Sequence, residues 1–345
     1  MNPLHPTYAS DLEQIIATVG DDVCSAGKRF FITGGSGLVG SCLIDALMLL
    51  QRESAADLHI YATFTSEQSC RSRFAHYLSH PHFHPIIQDL CRPLDWEEAV
   101  DCIIHGASNT HPRLYAADPL GTARLNLLGS LSMLKLAEKN PACRTLFLSS
   151  YEVYGQRENP LPYHEDEVGS LDFNLTRACY PESKRMCETL FRSAAAAGGT
   201  CAMIARLGSI YGPTVKLNSS KADVQFLNCA LQRQPIIMKS PGLNKRSWCY
   251  VADTIQGILR ILASGQAGEA YNVAHSDASL SDFAHTLASI AGVDVICENP
   301  NDTPRYELTM SSAKLQALGW QPHFSLISGI RHTYNTLNDT VCSQK

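Results

Sequence analysis

Tyr180, Pro181, Glu182, Ser183 and Lys184 set a phenol and an ammonium four residues apart. Proline suits the first position of a helix, so Tyr180 stands at a helix start. Residues four apart share one helical face, which lets Lys184 reach under the Tyr180 ring. An ammonium, with an oxidised nicotinamide ring beside it, would draw the phenol from its ordinary pKa of ~10 toward working pH. Tyr180 then becomes a base able to take a hydroxyl proton during hydride transfer. The pair Tyr-x-x-x-Lys alone arises often by chance. Here it follows Thr145-Leu146-Phe147-Leu148-Ser149-Ser150, a strand-like run ending in two hydroxyls and continuing as Tyr151-Glu152-Val153-Tyr154-Gly155. Ligands of doubly wound sheets bind outside the carboxyl ends of strands, so Ser150 is placed to hydrogen-bond a reacting oxygen as well as to cap its strand.

A second chemical signal lies upstream. Phe30-Phe31-Ile32-Thr33 runs into Gly34-Gly35-Ser36-Gly37-Leu38-Val39-Gly40, which reads as strand, glycine turn, helix. The glycine spacing is a variant of the dinucleotide fingerprint. Gly34 makes the tight turn, Gly37 lets backbone approach a pyrophosphate, and Gly40 lets helix pack on strand. The helix start supplies amides and partial positive charge for phosphates. The acid that holds a ribose ~20 residues later in that fingerprint is missing from Leu58–Phe64. Arg71 and Arg73 follow shortly and either face a 2′-phosphate or are solvated charges, so NAD and NADP both stay open. Asp89, read as ending the third strand, is a candidate for adenine contact.

These groups need a frame. Apolar runs at Arg29–Thr33, Leu58–Phe64, His84–Leu90, Cys102–Ala107, Thr145–Ser149, Cys201–Leu207 and Ala270–Ala274 alternate with helical stretches such as Val39–Gln51, Gly121–Glu138 and Pro181–Ala196. Near-continuous apolar strands between helices predict an α/β fold, a doubly wound parallel sheet covered on both faces. The alternation weakens past Gly208. The expected layout is an extension (1–27), a dinucleotide-binding unit (28–207 plus 247–275) and a smaller C-terminal substrate lobe (208–246 plus 276–340). In the extension, Ser10 or Asp11 is read as capping a short helix through Val19 that Gly20-Asp21-Asp22 ends. His76, His80, His82 and His84 read as a polar linker into the third strand rather than a metal site.

The 345 residues are 45% hydrophobic and 18% charged, ample for a sizeable core. A net charge of −5 argues against a nonspecific nucleic-acid binder. No apolar run approaches a membrane span, and the first residues have no basic start or apolar core of a secretory signal. Thirteen cysteines are scattered without a Cys-x-x-Cys pair, which fits buried free thiols in a reducing cytoplasm.

At these residues the chain resembles the extended short-chain dehydrogenase/reductase family that modifies nucleotide sugars. The resemblance spans Phe30 to Ile330 and rests on TGGSGLVG (33–40), LSSYEVYG (148–155), YPESK (180–184), Arg206-Leu207 with Tyr211-Gly212-Pro213, RSWCYVAD (246–253), AYNVA (270–274) and LGWQP (318–322). Within the family, HGASNTHPRLYAADPLGTARLNLLGS (105–130) and TRACYPESKRMCET (176–189) are most similar to UDP-glucuronate decarboxylases. The resemblance implies a Rossmann fold with bound NAD (NADP as the alternative), Tyr180 as base, Lys184 as its tuner and Ser150 as hydrogen-bond partner. It implies cofactor contacts at Gly34, Gly37, Leu38, Val39, Gly40, Asp89, Leu90, Ala107, Asn126 and Lys184. Substrate contacts are implied at Ser108, His111, Arg177 and Arg246, although a local structural role for His111 and a salt bridge for Arg177 are the plainer readings. Glu152, before Val-Tyr-Gly, is the mark of the family's dehydratases and decarboxylases. Tyr151 departs from both, since dehydratases carry Asp there and decarboxylases a small Ser.

The implied reaction oxidises a nucleotide-diphosphate sugar at C4, after which a C5 carboxylate leaves as CO2. A 4-epimerase or 4,6-dehydratase is the neighbouring reading, and a noncatalytic dinucleotide-binding regulator the distant one. A homodimer is implied, built on the helices at 121–138 and 181–196.

Overall fold

Tyr8, Leu12, Ile15, Val19 and Val23 recur every three or four residues, and all are buried. They form the inner stripe of α1 (Pro6–Ala26). The computed structural model describes residues 5–54, 56–159, 161–301 and 307–342. The first four residues of the expected extension therefore lie outside the described residues. The short helix ending at Gly20 is corrected: the helix runs on through Gly20, and the His5 ring caps it by accepting from the Thr7 amide at 3.3 Å. Burial of the stripe outweighs the ~1 kcal/mol that a helical glycine costs. Asp11 caps nothing; it is buried and accepts from the Tyr250 hydroxyl at 2.5 Å and from His332 at 2.8 Å.

The alternation then follows as β1 (Arg29–Thr33), α2 (Leu38–Glu53), β2 (His59–Phe64), α3 (Glu67–Phe74), β3 (Phe83–Ile87), β4 (Cys102–His105), α4 (Pro112–Ala117), α5 (Pro119–Glu138), β5 (Arg144–Ser150), α6 (Cys179–Ala196) and β6 (Cys201–Leu207). The chain continues through β7 (Ser209–Tyr211), α7 (Ala222–Leu231), β8 (Ile236–Met238), β9 (Lys245–Tyr250), α8 (Val251–Ser264), β10 (Ala270–Val273), β11 (Ser276–Ser279), α9 (Leu280–Ala291), β12 (Val295–Cys297), α10 (Ala313–Gln316) and α11 (Leu326–Cys342).

Seven strands form one sheet in the order β3-β2-β1-β4-β5-β6-β10. Every pairing in it is parallel. Phe30 and Ile32 point into a core shared with α1, α2 and α8, while Phe31 between them joins the layer beneath α5. The sheet is thus buried on both faces, as parallel sheets require. Strand order reverses between β1 and β4, and that reversal opens a crevice at their carboxyl ends. Beyond it, β7, β9 and β11 form a three-stranded sheet and β8 pairs with β12. Trp248 of β9 stacks on Phe283 of α9 at 4.7 Å, tying these strands to their helices. Among the described residues no helix is long and apolar enough to cross a membrane.

If α1 is core rather than appendage, truncating its fully buried Leu12 should be costly. Leu12→Ala should lower unfolding free energy by ~2–5 kcal/mol in urea titration. A loss within 0.5 kcal/mol, as for a surface site, would mean that α1 is dispensable.

Candidate functional site

The glycine loop closes on itself and on β4. Gly34 has φ +78°, and a Cβ there would lie 2.9 Å from the Ala107 amide. A Cβ on Gly40 would lie 2.3 Å from the Gly34 carbonyl, so α2 packs at contact distance on the turn. A Cβ on Gly37 would meet only the Gly34 carbonyl, at 3.3 Å, leaving its other side open. Gly37 is the N-cap of α2 and offers no side chain to the first-turn amides. Those amides, Leu38 and Val39 among them, are the orphan donors a phosphate would take.

Thr33, the last residue of β1, fastens the two strands at the crevice. Its Oγ1 lies 2.7 Å from His105 Nδ1 and accepts from the Gly106 and Ala107 amides, each at 3.1 Å. Burial and the Lys184 charge push His105 down to about 3, so it is neutral at ordinary pH. The β4–β5 register sets His105 beside Phe147, one residue before the Leu148 carbonyl, at the carboxyl end of the sheet.

Lys184 itself is buried, with Nζ donating to the Leu148 carbonyl at 2.8 Å. Burial pulls its pKa down to about 8 despite the opposing pull of Cys187 and Glu188. Its Nζ stands 6.0 Å from the Tyr180 ring centre. The Tyr180 phenol is pushed above its ordinary value, first by burial and then by the Glu152 carboxylate; a hydrogen bond with Ser150 pulls the other way. In the chain by itself, then, the phenol is held protonated, and the lowering expected from the four-residue spacing does not prevail. Ser150 also caps the 3₁₀ turn at Tyr151–Tyr154, accepting from the Glu152 amide at 3.2 Å. Ser150, Glu152, Tyr180 and Lys184 are therefore one cluster.

Arg177 joins it. Its guanidinium pairs with Glu152 at 3.0 Å, the salt bridge of the plainer reading, and more than half of its side chain stays exposed. Tyr115, which sequence reasoning did not single out, stacks on Tyr180 with centroids 5.4 Å apart and an 18° tilt. No motif marked Tyr115; only the packing of α4 reveals it. Lys216 was missed likewise, and its Nζ lies 3.2 Å from Ser36 Oγ on the glycine loop.

The other expected contacts divide. Asn126 is buried and donates to Ser183 at 2.8 Å, while Ser108 donates to Asn126 at 2.7 Å. That chain leads to the residue before Lys184. Leu90 is buried, whereas Asp89 lies two residues past β3 rather than ending it; its carboxylate holds the Cys91 amide at 2.9 Å. His111 is engaged by Ser220, whose amide donates to Nε2 at 2.7 Å, so it joins two segments. Arg246 sits on β9, outside the main sheet, 5.6 Å from the Trp248 ring, and makes no ion pair within 4.0 Å among the described residues. Of the two readings of Arg71 and Arg73, the plainer one, charges at the surface, fits the ion pairs they make. Arg71 pairs with Glu67 at 4.0 Å, and Arg73 lies 3.9 Å from Asp45, a carboxyl that burial raises to about 6.

The sequence profile of the NAD dependent epimerase/dehydratase family matches residues 30–274. UDP-glucuronic acid decarboxylase 6 of Arabidopsis thaliana is 32% identical over 310 residues, covering 88% of this chain and 87% of its own length. An epimerase from Methanothermobacter thermautotrophicus superposes with a TM-score of 0.80 at 18% identity, over 95% of this chain and 97% of that one. The UDP-glucuronic acid 4-epimerase of Bacillus cereus, solved with UDP-glucuronic acid and NAD, superposes with a TM-score of 0.76 at 19% identity, over 90% of this chain and 99% of its own.

The depressed Lys184 pKa carries a pH signature. Between about 8 and the ordinary 10.5 the unfolded chain holds a proton that the native chain has lost. Stability from this group is therefore poorest below pH 8 and recovers as pH rises through that window. Lys184→Met should remove a penalty of ~3 kcal/mol, giving a more stable protein at pH 7 whose advantage fades toward pH 10.5. Denaturant titrations at pH 7, 9 and 10 check this; a variant destabilised equally at all three would contradict the buried charge.

Proposed function

The chain belongs to the NAD-dependent epimerase/dehydratase family, and from that premise we propose that it oxidises a nucleotide-diphosphate sugar at C4 and removes a C5 carboxylate, as a UDP-glucuronate decarboxylase would. The observation that carries this is the buried Ser150–Tyr180–Lys184 cluster with the Glu152–Arg177 pair at its edge. The 32% identity to a UDP-glucuronic acid decarboxylase over most of both chains supports decarboxylation over its neighbours.

Residues of this chain fit a dinucleotide. The close crossing of Gly34 and Gly40 and the uncapped start of α2 make a phosphate cradle. Gly34, Gly37, Leu38, Val39 and Gly40 would hold the diphosphate, with Asp89, Leu90, Ala107 and Asn126 along the remainder. When bound, NAD supplies the hydride acceptor. The neighbour solved with NAD supports NAD as the form bound, and the carboxylate of Asp45 beside Arg73 does not favour a 2′-phosphate there.

Ser150 holds the C4 oxygen and Tyr180 Oη takes its proton. Tyr180 does this as a phenolate, and the Lys184 ammonium, with the positive ring of bound NAD, would offset the charge left once the phenol has given up its own proton to solvent. Once C4 is a ketone, a carboxylate on C5 is a β-keto acid. The C5–carboxylate bond breaks, its electron pair enters the C4 enolate, CO2 departs, and C5 takes up a proton. Return of the hydride to C4 and of the proton from Tyr180 restores the C4 hydroxyl, so the product is lighter by CO2 alone. Glu152 stands beside Tyr180 to move that proton. Arg177 offers a planar fork suited to a carboxylate, and Arg246 and Lys216 offer charge to a diphosphate. Ser108 and His111 border the sugar. The segments 208–246 and 276–340 form the lobe that selects base and sugar.

A homodimer is supported by Leu120, Leu128 and Leu131 of α5 and Met186 of α6, all exposed. Cytoplasmic placement is supported by the twelve cysteines whose side chains are described, each a free thiol.

Product mass spectrometry on a nucleotide-sugar panel led by UDP-glucuronate tests the reading. Loss of the mass of CO2 is expected. Loss of water would replace decarboxylase with dehydratase, and unchanged mass with altered retention would replace it with epimerase. Tyr180→Phe should cut turnover by about 10²–10⁴-fold; full retained turnover would remove Tyr180 from its role. Glu152→Gln should block CO2 release while leaving C4 oxidation measurable, and an unaltered product profile would refute the proton-moving role.

A further inference from the structure

At the amino ends of β2 and β3 lies a second cluster of ligating groups that the reaction does not use. It sits at the opposite end of β2 from the glycine loop, about 17 Å of strand away. The geometry points to a metal site: we propose that Asp57, His59 and His82 bind one divalent transition metal ion, zinc fitting best.

The distances support a shared ion. Asp57 Oδ1 lies 3.4 Å from His59 Nε2 and 3.5 Å from His82 Nδ1. All three ligand atoms lie within 4.8 Å of one another. Ligands about 2.0–2.1 Å from a tetrahedral zinc are separated by roughly 3.4 Å, so both Asp57 separations already suit one ion. Two imidazoles with one carboxylate form a donor set that zinc accepts, leaving a fourth position for water.

A built outer layer distinguishes this cluster from chance surface neighbours. His59 Nδ1 lies 3.0 Å from His84 Nε2. A proton on His59 Nδ1, donated to His84, leaves His59 Nε2 with its lone pair toward Asp57. That is the arrangement by which outer partners set the tautomer of a metal ligand. His84 is held in turn: it stacks on Tyr61 at 4.6 Å, and the Tyr61 hydroxyl donates to Glu98 at 3.0 Å. His59 and His82 are half-buried, while Asp57 is exposed and free to adjust. His82 Nδ1 lies 2.9 Å from the Leu58 carbonyl. Metal binding at Nδ1 moves that ring proton to Nε2, with no change in the charge of the imidazole.

The run of histidines from 76 to 84, read as a linker, hides this site because two of the three ligands lie outside it. Asp57 and His59 come from the start of β2, brought beside His82 by the parallel pairing of β2 and β3. A bound ion would clip those strand starts together across α3. An ion that binds only the native chain raises its melting temperature.

The test uses tag-free full-length protein, stripped with a chelator and titrated with zinc chloride, read by calorimetry and metal analysis. Uptake of one zinc per chain and a higher melting temperature are expected. His59→Gln and His82→Gln should each weaken binding at least tenfold. His84→Gln should weaken it by about 10–100-fold through the lost outer partner. Metal-free melting temperatures of the variants, matched to the parent, distinguish lost ligation from lost folding; a variant that melts lower is replaced by Asp57→Asn on the exposed carboxylate. Because the chain carries many thiols, cobalt(II) is the second probe. Its spectrum should lack a thiolate charge-transfer band. No zinc uptake, parent-like binding by the variants, or a thiolate band would overturn the proposal.

Discussion

A positive charge buried without a full counterion governs this site. Lys184 lies on α6 one turn before Glu188, whose carboxylate would be its natural partner. Glu188 is already committed elsewhere: it accepts from Arg206 Nη2 at 2.7 Å and from Ser149 at 2.6 Å. Lys184 is left with one carbonyl, and burial correspondingly drags its pKa to about 8. In a low-dielectric site such an uncompensated charge acts strongly on its neighbours. Burial, and with it this charge, keeps His105 neutral on one side, and the Tyr180 ring lies 6.0 Å away on the other. Supplying Lys184 with its own carboxylate would relieve the burial and spend the same field.

The parallel sheet makes that arrangement affordable. Strands β1, β4 and β5 are adjacent and run the same way, so Thr33, His105 and Ser150 emerge at one edge. The Thr33 hydroxyl then ties the glycine loop to β4 through two amides and an imidazole. Opposite charge placement follows from the same geometry. Amide donors of α2 open toward the crevice at one side, while Glu152 and Arg177 stand at the other as a partly exposed pair.

What could be read in the sequence was whatever lies close together along the chain. Gly34 to Gly40, Ser150 to Glu152 and Tyr180 to Lys184 are contiguous, and each sits where a strand meets a helix. The strand runs at 29–33 and 201–207 match β1 and β6 residue for residue. What escaped depends on contacts between distant residues. Tyr115 meets Tyr180 only because α4 packs beside the turn at Thr176–Ala178 that leads into α6, and no spacing rule signals that. Arg73 stayed open between a solvated charge and a 2′-phosphate contact because Asp45, 28 positions earlier, shows as its partner only once α2 and α3 are packed. Gly20 looked like a helix end because local propensity was weighed without the apolar stripe on both sides of it.

The same helix also ties together elements beyond the main sheet. Tyr250 ends β9, the central strand of the three-stranded sheet, and its hydroxyl donates to Asp11 of α1. The other Asp11 oxygen takes His332 of α11. One buried carboxylate thus joins the first helix, the second sheet and the last long helix. Burial raises the Asp11 pKa, while both hydrogen bonds pull it down. Replacing Asp11 with an apolar residue would leave the buried Tyr250 hydroxyl without its acceptor and the half-buried His332 without its partner. The first helix therefore fastens β9 and α11 to each other as well as covering the main sheet.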